Sequence, residues 1–359
     1  MEKELFALLR LGLGNSDPEK ENLSDFIMLP ASHWLRLGEI AQEQGVLGVM
    51  LDGIDRLEYT GYGATRELSK ELKLEWIGNV LNGYEARNHH QLAVITELQQ
   101  RWSESGLRMM VMKGQAMGTL YPNPKHRSPG DIDCYLFDGY SRGNETAKEW
   151  ADNVDEGWYK HSVISYKGEA IENHQFFVHT REGKKSKLLN QILVDILKET
   201  SFETLPETGA LLPPPMFNAL FLTYHALTHF LEEGLRLKQI LDWAMFLKRD
   251  ADKVDWKEFY KICDKFHFRR FADVMNDIAV NLLGDEFELA TSSPYTDKVL
   301  HSTLYDNEYV FSSGESGWRN RFHIVKNLFK YMWKYHEIYQ HSIFRQMWFY
   351  ATGFVFKSE

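Results

Sequence analysis

The chain has 359 residues, of which 43% are hydrophobic and 26% are charged, and its formal net charge is −10. This length allows two or three domains with separate cores, and the ordinary composition excludes a long disordered tract. The acidic balance also argues against a nucleic-acid-binding domain of the usual basic kind, and it leaves a local basic groove as an alternative.

Cysteine content and hydropathy further limit the class of protein. The two cysteines, Cys134 and Cys263, are too few for a disulfide framework, and neither has a second cysteine at metal-finger spacing. The N-terminal segment MEKELFALLRLGLG is acidic, which does not fit a signal peptide. No window reaches about 18 apolar residues without charge or histidine, so no stable membrane insertion is expected. A cytoplasmic enzyme or binding protein is the expected class, and the sequence specifies no oligomeric state.

The first hundred residues are predicted to be helical. Apolar residues in the segment 33–57 recur roughly at helical spacing, and Gly45 is expected to divide it into two helices. A longer amphipathic run extends from about Thr65 to Ser103. We therefore assign residues 1–100 to an N-terminal helical region.

The pattern changes to alternating strands and helices in residues 101–205. Gly106 ends the long helix, and the segment LRMMVMKG after it is typical of a short buried strand. Three prolines then predict an irregular loop, which leads into the strand DIDCYLF. Residues 144–156 are predicted to be helical, and a hairpin with its turn near Lys167-Gly168 follows.

Helices return from Pro213, with Gly234 expected to separate the first two. Residues 206–359 are assigned to a C-terminal helical region. The predicted fold class is α+β, with a small core of strands and helices between two helical regions.

The stretch MKGQAMGTLYPNPKHRSPGDIDCYL, residues 112–136, carries the chemistry. Side chains alternate along a strand, so Asp131 and Asp133 share one face, where they repel each other unless a cation lies between them. Carboxylate oxygens are the ligands that Mg²⁺ prefers. Gly114 lets a phosphate approach the backbone at the start of a short helix, and Lys113 or Arg127 can add positive charge. This arrangement predicts a nucleoside triphosphate site.

These residues resemble the signature of a known family. Lys113-Gly114, Tyr121-Pro122, Arg127 and Gly130-Asp131-Ile132-Asp133 are similar to the pattern of the uncharacterised bacterial nucleotidyltransferases, in the DNA-polymerase-β-like superfamily. The flanking segments AQEQGV and LRLKQILDWA are also similar, so the resemblance covers most of the chain.

The resemblance implies a nucleotidyltransferase fold whose glycine turn, Gly114-Gln115, holds the triphosphate with Lys113 and Arg127. It also implies three carboxylates, Asp131, Asp133 and Glu172 of the segment IENH, that act in catalysis and bind two Mg²⁺ ions, with Mn²⁺ as the alternative. The expected reaction is in-line attack of an acceptor on the α-phosphorus, with release of pyrophosphate. The acceptor stays open among small molecules, proteins and RNA.

One departure from the family pattern keeps two other functions open. Gln115 stands where superfamily members commonly have serine or glycine, which favours, as the alternative, a non-catalytic nucleotide-binding or partner-binding protein on the same fold. Transfer of the γ-phosphate is a weaker possibility, because the chain lacks a glycine-rich loop of the P-loop or kinase form.

Two other groups of residues have less specific interpretations. His225 and His229 lie one helical turn apart and, with Asp242, invite a metal interpretation; position 226 is alanine, so a zinc-protease motif is missing, and polar lining of a cleft is favoured. The tail from about Trp318 is basic and aromatic. We interpret it as a buried helix, with contact to an anionic membrane or nucleic acid as the alternative.

Overall fold

The structure is a computed structural model that describes residues 2–59, 63, 65–198, 201–306, 326–327 and 329–340. Its α-helices are distributed along the whole described chain: α1 Glu2–Gly12, α2 Leu23–Ile27, α3 Ala31–Glu43, α4 Leu47–Tyr59, α5 Lys70–Asn79, α6 Ala86–Glu104, α7 Gly114–Gly118, α8 Tyr140–Ala147, α9 Lys184–Lys198, α10 Pro215–Glu232, α11 Leu237–Asp250, α12 Trp256–Lys265, α13 Arg269–Asp277 and α14 Thr296–Tyr305. Three π-helical segments continue or extend this set: Val80–Glu85, Ile278–Leu282 and Lys334–Ile338.

A mixed five-stranded sheet forms the centre of the middle third. Its strands are β1 Met109–Met112, β2 Ile132–Leu136, β3 Asn153–Asp155, β4 His161–Tyr166 and β5 Glu169–His174. Their order in the sheet is β1-β2-β5-β4-β3, and β2 and β5 run parallel while the other neighbours are antiparallel. The predicted α+β class is confirmed.

The two faces of this sheet have different surroundings because side chains alternate along each strand. On one face, Val111, Cys134 and Ile171 pack in an apolar cluster with Ile95 and Trp102 of α6. The opposite face carries Asp133 and Glu172 on neighbouring strands. The apolar face also holds buried polar side chains, which bind polar residues of the helices that cover it: Glu169 binds Gln91 of α6, and Asn173 binds Asn144 of α8.

The second face belongs to a larger core that includes the helical regions on both sides. Met110 and Met112 of β1 share this core with Leu8 of α1 and Phe221 of α10. Helices α1 and α4 approach closely, since a Cβ added at Gly53 would lie 2.1 Å from the carbonyl oxygen of Leu8. The boundaries near residues 100 and 205 stay predictions, because one core joins side chains from all three regions.

Several predicted breaks between elements are confirmed. Gly45 and Gly234 separate helices, and both have the positive φ that ends a helix without strain in glycine, 68° and 94°. The hairpin turn is at Lys167-Gly168, between β4 and β5.

The helix predicted over residues 144–156 is wrong in its second half. Helix α8 ends at Ala147, and the N–H of Asp152 donates to the carbonyl oxygen of Ser165 at 2.9 Å. The next three residues form the edge strand β3 against β4. These residues form a strand because they pair with the edge of the sheet, and the helical spacing of the local sequence gives no information about that pairing.

None of the helices among the described residues is both long and apolar enough to cross a membrane. The predicted basic tail lies mostly outside the described residues, including Arg319, Arg321 and Arg345. In the part that is described, Lys334 is buried and donates to the carbonyl oxygen of Phe230 in α10 at 3.0 Å. This segment packs on the protein, as the buried-helix interpretation expects.

Candidate active site

A cleft with a volume of about 270 Å³ lies between the sheet and the two helices α10 and α11. Its strand side comprises Lys113, Gly114, Gly130, Asp131 and Asp133, and its helical side includes His225, His229, Glu233, Arg236 and Lys238. The two aspartates therefore face one cavity beside the glycine turn. This is the arrangement that the sequence predicted for a triphosphate site.

The two aspartates have opposite electrostatic situations. Asp131 lies just before β2, is exposed, and makes no hydrogen bond or ion pair with another described residue. Partial burial and the charges of Glu172 and Asp133 raise its pKa. Asp133 is buried inside β2; burial raises its pKa, but the ammonium of Lys113 and the ring of His174 outweigh burial and hold it below its usual value. Asp131 thus offers a free carboxylate to a hard cation such as Mg²⁺.

Lys113 links the two sides of the cleft. Its Nζ lies 2.7 Å from Oδ1 of Asp133 and 3.0 Å from Nε2 of His225 in α10. Its backbone has φ 49° and ψ −143°, a conformation that costs a non-glycine residue about 1–3 kcal/mol. The chain accepts this strain at the turn that places the ammonium against the carboxylate.

Glu172 is the neighbour of Asp133 on the parallel strand β5. Its Oε2 lies 2.8 Å from Nδ1 of His161 and 3.3 Å from Nε2 of His174. Burial raises the pKa of Glu172, but the two rings outweigh burial and hold it well below its usual value. The structure therefore brings the third predicted carboxylate to the first two, and it surrounds that carboxylate with imidazole nitrogens.

Arg127 lines the cleft, and its guanidinium fork is already bound to a carboxylate. Its Nε and Nη2 donate to the two carboxylate oxygens of Asp242 at 2.8 and 2.7 Å, and Nη1 donates to the carbonyl oxygen of Ser128. The hydroxyl of Tyr121 also donates to Asp242, at 2.8 Å. These side chains are buried. The pair of Arg127 with Asp242 therefore joins the loop before β2 to α11, and the carboxylate occupies the two donors of the fork.

The two residues of the glycine turn also differ in their placement. Gly114 lines the cleft with φ 35°, and an added Cβ would meet only the carbonyl oxygen of Asp131, at 3.5 Å. The side chain of Gln115 is buried and donates to Asn88 at 2.8 Å and Gln91 at 2.9 Å. A phosphate contact from Gln115 therefore falls to its backbone N–H, which has no partner within the helix at the first turn of α7.

The helical side of the cleft combines two histidines and two cations with the carboxylates of Glu233 and Asp242. Nε2 of His229 lies 2.9 Å from Nε2 of His225, and Nδ1 of His229 lies 2.9 Å from Oε2 of Glu233. Burial and the nearby Lys113 ammonium lower the pKa of His225 well below its usual value, so this ring is neutral. Burial and the charge of Arg127 lower the pKa of Lys238 to about 8. No carboxylate of a described residue lies within 4 Å of its ammonium.

A comparison with family models decides which family these residues belong to. The model of the uncharacterised nucleotidyltransferases matches residues 30–284, which is more than half of the chain. The chain belongs to the uncharacterised nucleotidyltransferase family. Membership covers the sheet, the cleft and the helices α10 to α13, and it supports a role in nucleotidyl transfer.

Comparisons with individual proteins add little to this family assignment. The crystal structure of an antigenic nucleotidyltransferase-like protein from Paracoccidioides brasiliensis is 13% identical, with a TM-score of 0.31 over 60% of this chain and 96% of that chain. Similarity at this level supports no statement about fold or function. No curated protein matches the chain.

The sequence did not predict three residues in or beside this cleft: Arg236 and Lys238, which line it, and His161, which contacts Glu172. Arg236 and Lys238 are in the segment LRLKQILDWA, which we noted as similar to the family but did not assign to the cleft. Two cations at the N-terminus of a helix are a usable signal, because positive charge there is unfavourable unless an anion binds nearby. His161 had no such signal, since its place depends on the pairing of β4 with β5.

Proposed function

We propose that this protein is a Mg²⁺-dependent nucleotidyltransferase that moves a nucleoside monophosphate from a nucleoside triphosphate to an acceptor hydroxyl or phosphate. An acceptor oxygen forms a bond to the α-phosphorus, and the bond from that phosphorus to the bridging oxygen of pyrophosphate breaks. The observation that carries the proposal is the position of Asp131 and Asp133 in one cavity beside Gly114.

The donor atoms fit the cation that the family implies. Asp131 offers a carboxylate with no protein partner among the described residues, and Asp133 supplies a second carboxylate in the same cavity. Mg²⁺ commonly binds one or two protein carboxylates and completes its octahedron with water and phosphate oxygens. When bound there, it supplies positive charge that stabilises the attacking and leaving oxygens. Mn²⁺ takes the same ligands.

The other residues bind the substrate and hold protons. The backbone N–H groups at Gly114 and Gln115 donate to the phosphates, and Lys113 and Lys238 place ammonium groups on either side of the cavity. Glu172, the predicted third carboxylate, lies beside Asp133, but its lowered pKa makes it a weak base. Asp131, whose pKa is raised, is better suited to take the proton of an acceptor hydroxyl. Arg127 acts on the site by fixing Asp242 and α11.

The test follows the label from triphosphates that carry ³²P at the α- or the γ-position, incubated with Mg²⁺, the protein and a cell extract. Nucleotidyl transfer moves α-label to an acceptor and releases γ-label as pyrophosphate. An Asp131→Asn/Asp133→Asn variant serves as the control. Transfer of γ-label to the acceptor would instead show a phosphotransferase.

The alternative of a non-catalytic nucleotide-binding protein has one structural observation in its favour. The Lys113 ammonium already neutralises Asp133 at 2.7 Å, as a permanent counter-ion would. Nucleotide-dependent thermal stabilisation without pyrophosphate release from any triphosphate and extract would favour this alternative. Turnover that disappears in the aspartate variant would exclude it.

A further inference from the structure

His161, Glu172 and His174 form a compact group of metal-ligand side chains beside the aspartates. One donor atom from each lies within 4.8 Å of the others, and the group sits where β4 pairs with β5. The three residues occupy two register positions at the open end of the hairpin, with His161 directly opposite His174 and Glu172 opposite Val163. The sheet itself therefore fixes the spacing of the three donors.

The hydrogen bonds within this group are incomplete. Nδ1 of His161 is buried and lies 2.8 Å from Oε2 of Glu172, but it makes no hydrogen bond of acceptable angle with any described residue. A buried polar atom without a partner destabilises the fold. The contact is short and misaligned, which is the relation that two ligands of one cation have to each other.

When Nδ1 of His174 carries the proton, Nε2 is unprotonated and can ligate a metal ion. Nδ1 of His174 lies 3.3 Å from the carbonyl oxygen of Phe176, the usual outer partner of a ligating histidine. Nε2 then directs its lone pair at Oδ1 of Asp133, 3.0 Å away, and Oε2 of Glu172, 3.3 Å away. Three acceptor atoms converge, and a cation between them removes the repulsion.

We propose that His161, Glu172 and His174 bind a divalent transition-metal cation of the Zn²⁺ class. Two imidazoles and one carboxylate suit such a cation, whereas Mg²⁺ prefers oxygen ligands alone. The site adjoins the aspartates of the cleft. Asp133 connects them, since its Oδ1 lies 3.0 Å from Nε2 of His174. The inference goes beyond the proposed nucleotidyl transfer, because its argument involves no nucleotide and its main readout is Zn²⁺ binding by the protein alone.

The competing explanation is an imidazolium at His174 that forms salt bridges to Asp133 and Glu172 without a metal. The nearby ammonium of Lys113 already neutralises part of the acidic group, which strengthens this competitor. The two explanations differ in whether Zn²⁺ binds and in whether His161 matters, since His161 takes no part in the salt bridges of His174.

The experiment measures Zn²⁺ binding by the full chain after its metals are removed with EDTA. A chromophoric chelator competes for Zn²⁺, and Co²⁺ absorption in the visible range reports nitrogen and oxygen coordination. We expect the wild type to bind one Zn²⁺ per chain that excess Mg²⁺ does not displace. We expect His161→Gln to bind Zn²⁺ at least about 100-fold more weakly. The matched control His301→Gln, at an exposed position of α14, is expected to bind Zn²⁺ like the wild type.

Further variants keep the outcome decisive. Glu172→Gln, which preserves side-chain shape, is expected to weaken Zn²⁺ as His161→Gln does, with circular dichroism confirming the fold of both. Asp131→Asn is expected to retain Zn²⁺ while losing nucleotidyl transfer, so failure of one proposal leaves the other standing. The site is disproved if the wild type binds no Zn²⁺, if His161→Gln binds it equally well, or if only His229→Gln loses it.

Discussion

The two sides of the cleft are built in different ways. The strand side takes Lys113, Asp131 and Asp133 from within 21 residues of sequence, and the antiparallel pairing of β1 with β2 sets their positions. The helical side takes Lys238 and Asp242 from α11, more than 100 residues later. Each side contributes both carboxylates and cations to the cleft. A motif read from sequence therefore describes half of the site, and tertiary packing supplies the other half.

The largest expected effect tests the strand side. Asp131→Asn or Asp133→Asn is expected to lower nucleotidyl transfer at least about 10³-fold, or about 4 kcal/mol, because each change removes a cation ligand from the cavity. The measurement is transfer of α-label at saturating Mg²⁺. The matched control is Asp138→Asn, an exposed aspartate just after β2 with φ 51°, a conformation that asparagine tolerates. Full turnover in either site variant would contradict the assignment.

The next effect tests the joint between the two sides. Removing one partner of a buried ion pair leaves the other charge uncompensated, so Arg127→Met is expected to lower the free energy of unfolding by about 3–5 kcal/mol. Urea titration measures this change. Arg36→Met breaks the exposed pair with Glu39 and is expected to cost about 1 kcal/mol or less. Equal losses in the two variants would show that the Arg127–Asp242 pair does not hold the sides together.

A third prediction is that the two aspartates have different effects on the free energy of unfolding. Asp133→Asn leaves the ammonium of Lys113 without its counter-ion and is expected to lower the free energy of unfolding by about 1–3 kcal/mol at neutral pH. Asp131→Asn is expected to leave stability unchanged or higher, because the raised pKa of Asp131 means that its charge is unfavourable in the folded protein. Similar losses in both variants would contradict this difference.

The pH dependence of these aspartates has opposite signs. The lowered pKa of Asp133 gives stability that is present above its unfolded value of 3.8 and is lost as pH falls through the lower folded value. The raised pKa of Asp131 means that its unfavourable contribution develops as pH rises above 3.8. Urea titrations of the two variants between pH 3 and pH 7 measure the difference.

The smallest effect tests the helical side. Because the pKa of Lys238 is lowered to about 8, its ammonium loses its proton as pH rises through that value, and triphosphate affinity is expected to fall with it. Lys238→Met is expected to bind triphosphate about tenfold more weakly at pH 7 and to lose this pH step. Lys261→Met, at an exposed position of α12, is the control. An unchanged pH profile in Lys238→Met would exclude Lys238 from the phosphate site.

Local patterns account for what the sequence predicted correctly. The spacing around Gly106, the alternation in residues 131–137 and the turn at Lys167-Gly168 each depend on a few neighbouring residues, and the structure has the helix end, the strand and the hairpin. The aspartates were found for the same reason, since two alternating positions of one strand share a face.

Long-range contacts account for what the sequence did not reveal. The fork of Arg127 was predicted to face phosphate, because no local feature indicates that Asp242, 115 residues later, already satisfies it. The strand β3 was missed because its pairing partner is on another element. His161 joined the site only through the register of β4 with β5, which the chain fixes on folding.

The contact between Lys113 and Asp133 has a consequence for how ligands bind together. If a metal ion and a triphosphate bind as proposed, the metal ion would displace the Lys113 ammonium from Asp133, and the freed ammonium would reach the triphosphate in the same cavity. Each ligand would then bind more tightly in the presence of the other, and thermodynamic reciprocity requires the same factor in both directions. Cation titrations with and without nucleotide would give that coupling factor directly.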